Sequence, residues 1–168
     1  GTAVRDLHSG HQLEPALRAV APAPRRFAAV AMLDGTPTTY ADAFGLRDRA
    51  DAEEAVDSLA GFGASWIKTY TRTTPDLLDA AVRAARARRL PVAAHLGLTD
   101  ALTAARLGVV SIEHLSGIPE VLDASGTLAR AHGAGFFTGW TAVAKSWGVA
   151  GTAAHGDAGL FPHTDGTT

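Results

Sequence analysis

The run PVAAHLG, residues 91–97, stays apolar on both faces through Ala94 before His95 and Gly97 break it. A strand of this kind cannot leave one face in water. It fits a parallel sheet covered by helices on both sides, where strands read as near-continuous apolar runs rather than alternating ones. The other candidate strands are residues 3–7, 27–33, 65–71 and 109–115, most of them of the same type, and helical periodicity separates them.

Three helices are marked by their ends. Asp51 followed by Glu54 reads as a capping box. Ala52, Ala55, Val56 and Leu59 then keep one face apolar, and Gly61 is placed to end the helix. Thr74 can cap a second helix with Pro75 at its first position. Leu78, Ala81, Val82 and Ala85 line its inner face, and Arg83, Arg86 and Arg88 point to water. Thr99 can cap a third, shorter helix that Gly108 closes. Residues 35–50 read as a long loop, and residues 134–168, rich in Gly, Ala and Thr, resist assignment.

Strand and helix alternating in this way suggest a right-handed βα array. An open doubly wound sheet and a closed (β/α)8 barrel both fit. A dinucleotide-binding sheet calls for a glycine-rich turn after an early strand, and RDLHSGHQ has one glycine. A barrel needs about 250 residues, so 168 residues supply about five of its eight units in one partial α/β domain. The start GTAVRDL, already strand-like, and the turn-like end lead to the expectation of a piece of a longer protein.

Composition narrows the partners. Net charge is −2 with no basic stripe, which argues against nucleic acid. No apolar run approaches the roughly 20 residues of a membrane span. With no cysteine, thiolate sites and disulfides are excluded.

Chemistry concentrates late in three successive strands: Lys68 in SWIKTYT, His95 in PVAAHLG and His114 in VSIEHLSG. The spacings, 27 and 19 residues, are each about one βα unit. In a parallel barrel the C-terminal strand ends open on one rim, so the three can converge there. Each alone has an ordinary reading, a core histidine or a snorkelling lysine. Their joint register points instead to a site. Imidazole ligates zinc and similar ions. A lysine held in an apolar strand tends to a depressed pKa, and as a neutral amine it can add carbon dioxide to become a carbamate able to bridge two cations.

GASWIKTYTR, RLPVAAHLG and LGVVSIEHLSG together resemble the amidohydrolase superfamily, most of all its imidazolonepropionase-like and prolidase-like branch. The opening GTAVRDLHS is similar to that branch's second barrel strand. The resemblance implies a (β/α)8 barrel, of which this chain would hold roughly units two to six, and a centre of one or two divalent ions, zinc foremost. It implies Lys68 as the carboxylated fourth-strand lysine, and His95 and His114 as the fifth- and sixth-strand ligands. Tyr70 would face the rim and meet a small amide or peptide-like substrate. Glu113, expected on the opposite face from His114, would be a supporting or helix-facing partner. The activity implied is hydrolysis of an amide-type C–N bond.

The chain departs from the family pattern in two places. No His-x-His pair of first-strand ligands occurs; His8 and His11 are three apart. No aspartate follows a convincing eighth strand, and HGDAG around His155 and Asp157 reads as a turn. The isolated chain is therefore expected to carry part of a site and to be inactive, with open sheet edges that invite self-association. Two other readings remain: a Schiff-base lyase or aldolase-type barrel using Lys68, and a truncated barrel without catalysis.

Overall fold

The computed structural model describes residues 2–10, 13–19 and 21–123. Seven short strands and five helices follow one another: β1 (Ala3–Asp6), α1 (Glu14–Arg18), β2 (Arg25–Ala28), β3 (Met32–Gly35), β4 (Phe44–Leu46), α2 (Arg49–Gly61), β5 (Ile67–Thr69), α3 (Pro75–Ala87), β6 (Val92–Ala94), α4 (Ala101–Leu107), β7 (Ser111–Ile112) and α5 (Ile118–Leu122). All described strand pairs are parallel. β1 pairs with β2, and a second sheet runs β4-β3-β5-β6-β7. This is part of a parallel α/β barrel wall, without closure. The tail assignments, including His155 and Asp157, lie outside the described residues.

The expected strand over residues 27–33 is two strands. Val30 takes a left-handed backbone, φ 71°, and turns the chain between β2 and β3. One continuous apolar run thus feeds both sheets, because nothing in Ala29-Val30-Ala31 announces the break. The loop expected at 35–50 contains β4, which pairs with β3 in the register Leu33 to Phe44.

Helices α2 and α3 keep their expected faces, α4 buries Ala101 and Ala104 while Leu102 is exposed, and two caps move. Ala52, Ala55, Val56 and Leu59 are buried in α2, but the cap is Asp48, whose carboxylate accepts the Asp51 N–H at 2.9 Å. Asp51 instead accepts the Arg47 N–H and two guanidinium bonds. Thr74 caps α3 with Pro75 behind it, as its sequence suggests. Asp100, not Thr99, caps α4. Thr99 is buried and donates to the Thr73 carbonyl at 2.9 Å. Gly108 closes α4 in a left-handed pose, φ 102°.

The core lies between the sheet and α2–α3. Leu33, Leu46, Val56, Leu59, Ile67 and Leu78 are almost wholly buried there. Burying a side chain of that size is worth about 1.5–3 kcal/mol, so these six dominate the local packing. Two glycines at strand ends are required by close backbone approach. A Cβ on Gly35 would lie 2.1 Å from the Arg72 carbonyl oxygen, and one on Gly97 would lie 2.3 Å from that of Thr71.

Candidate metal centre at the strand ends

Lys68 sits mid-strand in β5, in register with Met32 of β3 and Ala93 of β6. Only 4% of it is exposed. His95 follows β6 directly, donates its N–H to the Thr69 carbonyl at 3.1 Å, and is also buried. His114 follows β7 and is exposed, yet its ring centroid is 4.9 Å from that of His95, with the planes tilted by 48°. The Tyr70 ring meets His95 edge-on, at 4.8 Å and 77°. Tyr40 extends the row at 5.2 Å from Tyr70, and His8 at 5.5 Å from Tyr40. The structure thus brings His95, His114 and Tyr70 into ring contact, with Lys68 close enough to act on His95 through its charge.

The relation of Glu113 to His114 differs from the expectation, and it is His114 that moves. Strand alternation would put the two on opposite faces. The strand ends at Ile112, however, and residues Glu113–Leu115 form a single tight turn in which His114 has φ 58°. The period of two is lost there. Glu113 stays on the side of Ser111 and Arg5, accepting from Ser111 Oγ at 2.7 Å and from Arg5 Nη2 at 2.9 Å. His114 is swung to His95 by the backbone.

Burial sets the proton chemistry. The Lys68 ammonium is pushed down to about 8, chiefly by desolvation, with Arg5 lowering it further and Glu113 opposing. His95 is pushed down to about 3 by desolvation, then by the charges of Lys68 and His114. It is a neutral imidazole at physiological pH, the form that ligates metals. Burial, and then the Asp34 carboxylate, raise the Tyr70 phenol to about 12. It remains protonated and can donate.

Asp34 is a residue that sequence reasoning passed over. It is fully buried at the end of β3. Its carboxylate accepts the N–H groups of Gly35 at 3.0 Å, Arg72 at 2.8 Å and Thr39 at 2.8 Å. Desolvation raises its pKa against those bonds. It ties the loop bearing Tyr40 to the loop that follows Tyr70. An acidic residue directly before a glycine at the end of an apolar run was the available signal.

The donors suit a divalent cation in kind. His95 and His114 offer two imidazoles side by side, and Lys68 is an amine whose neutral form is accessible near physiological pH. Among the described residues, no three His, Cys, Asp or Glu side chains gather to hold a metal.

No family model and no curated protein matches the chain. Solved structures do. A bottromycin amidohydrolase is 28% identical, with a TM-score of 0.57, over 79% of this chain and 32% of its own. An Xaa-Pro dipeptidase with methionine bound in its active site is 19% identical, with a TM-score of 0.57, over 89% and 45%. The A. niger ochratoxinase is 18% identical, with a TM-score of 0.55, over 68% and 36%. The chain spans between about a third and somewhat under half of these structures. The last two show the fold, in which this chain forms part of a barrel. The likeness that supports the amidohydrolase superfamily is the one to the bottromycin amidohydrolase.

Proposed function

We propose that the chain is part of a metal-dependent hydrolase of amide-type C–N bonds. The observation that carries the reading is a buried Lys68 amine beside the paired rings of His95 and His114. His95 and His114 would give ring nitrogens to one or two divalent ions, zinc foremost. The Lys68 nitrogen would add to carbon dioxide and release a proton, giving a carbamate whose oxygens would serve as further donors to the metal. When bound, the ion supplies Lewis acidity towards a carbonyl oxygen and brings a water's pKa towards neutrality.

The chain's own residues do the rest. Burial keeps His95 neutral, the form that ligates metals. Tyr70, a protonated phenol packed on His95, would hold that ring and donate to an oxygen of the substrate. The names of the neighbours, an amidohydrolase and a dipeptidase, support a small amide or peptide-like substrate. The family resemblance implies a general base on the eighth strand, and the sequence offers no convincing eighth-strand aspartate for it; the 168-residue chain is therefore expected to bind zinc and turn over little substrate.

The test is zinc titration by chelator competition, alongside 13C NMR after incubation with labelled bicarbonate. A carbamate carbon signal and zinc binding, both lost in Lys68→Met, are expected. Absence of zinc binding would overturn the reading. Borohydride trapping of Lys68 on a carbonyl compound, with no zinc bound, would replace it with Schiff-base chemistry.

A further inference from the structure

One side chain joins the two sheets at the site. Arg5 sits on β1, whose backbone pairs with β2 and not with the five-stranded sheet. Its guanidinium nevertheless ends on β7 and the turn after it. Nη1 donates to Ser111 Oγ at 3.1 Å and Nη2 to Glu113 Oε1 at 2.9 Å. Ser111 Oγ donates to the same Glu113 oxygen at 2.7 Å. The guanidinium also lies over the Trp66 ring, 5.0 Å from its centroid, immediately before β5. A planar fork held by two acceptors and an aromatic face has little freedom to turn.

The turn held by this fork is strained. His114 and Leu115 both take φ 58°, a left-handed pose that is costly for a non-glycine residue. Such a turn persists only when its surroundings over-determine it. Local ties contribute. The Ser116 N–H and hydroxyl both donate to the Glu113 carbonyl, at 3.1 and 2.8 Å, and Ser116 Oγ accepts the Leu96 N–H at 2.7 Å. Arg5 adds a tie that originates in the other sheet.

We propose that Arg5 is a positioning residue for the candidate metal centre: by fixing Glu113 from β1, it holds the left-handed turn that brings His114 to His95. This rests on the reading of the two histidines as metal donors. Once Glu113 is released, the turn's unstrained alternative is continued extended strand. There Glu113 and His114 project to opposite faces and the ring pair separates.

The experiment measures the nuclear Overhauser effect between the His95 and His114 ring protons in the metal-free 168-residue chain, with zinc affinity and thermal melting alongside. Arg5→Gln should abolish the ring-to-ring effect and weaken zinc by about 10–100-fold, the usual penalty for losing an outer partner of a ligand. The melting temperature should barely move. Arg5→Lys, which keeps the charge without the fork, should recover part of both signals, and Glu113→Gln should reproduce the loss. If Arg5→Gln fails to fold, Ser111→Ala and Glu113→Gln decide. A ring-to-ring effect that persists without Arg5, or its absence from the wild-type chain, overturns the proposal. A wild-type chain that shows the effect but binds no zinc defeats the metal reading, while the variants still decide whether Arg5 places His114.

Discussion

The Asp34 carboxylate accepts the Arg72 backbone N–H at 2.8 Å across 38 positions of sequence, joining the end of β3 to the loop that leaves β5. Its other bonds, from Gly35 and Thr39, and the Arg72 Nη1 bond to the Pro37 carbonyl at 2.6 Å, lock the two loops as a unit. Tyr40 and Tyr70 ride on those loops, and through Tyr70 the lock extends to His95.

Asp34→Ala removes the acceptor from three N–H groups at once. A buried donor left unsatisfied costs about 1–3 kcal/mol. The variant should lose about 2–4 kcal/mol in urea denaturation at unchanged m-value. A loss under about 1 kcal/mol would mean that water replaces the carboxylate freely.

Lys68 is held at a cost to the metal-free chain. Its pKa falls from 10.5 to about 8 on folding, so between those values the unfolded chain binds more protons and stability rises with pH. At pH 7 the buried ammonium is a net liability. Lys68→Met should therefore stabilise the apo chain by on the order of 1–3 kcal/mol and flatten its stability profile between pH 8 and 10.5. Denaturant titrations across that range check both.

His95 has the same sign at the acid end. Its folded pKa of about 3 lies below the ordinary 6.5, so its stabilising contribution is present above pH 6.5 and is lost as pH falls towards 3. His95→Phe should shallow that acid limb in the metal-free chain. A limb of unchanged slope would assign acid unfolding to the carboxylates instead.

At α4 the two candidate caps separate cleanly. Asp100 accepts the Thr103 N–H at 2.8 Å and the Thr103 hydroxyl at 2.9 Å. Asp100→Ala should cost about 1 kcal/mol, as N-cap losses usually do. Thr99→Ser keeps the donor to the Thr73 carbonyl and should cost less than Thr99→Val, which leaves that buried carbonyl short. Thermal melts of the three variants give the order.

Much of this was legible because a parallel barrel wall needs strands apolar on both faces, and Ile67, Val92, Ala93 and Ala94 supply them. Lys68 and His95 stood out as the polar interruptions. What was hidden depended on backbone angles that residue types do not announce. Val30 adopts φ 71° although it is β-branched, so a single expected strand became two. His114 likewise takes φ 58°, so alternation, which holds for Glu113 beside Ser111, misplaced His114. The caps slipped by one and three residues because Asp48, Asp51, Thr99 and Asp100 all have capping side chains, and the choice among them is made by tertiary packing. Arg5 and Asp34 act across long sequence separations, beyond the reach of a local pattern.

The glycines at the ends of β3 and just past β6 have one more effect. Gly35 abuts the Arg72 carbonyl and Gly97 that of Thr71, so the peptide tract downstream of Lys68 is wedged from both flanks. It has no slack to swing. Whatever the Lys68 nitrogen reaches, it must reach by rotating its own methylene stem, and the span of that stem caps how far from β5 a shared ion could settle.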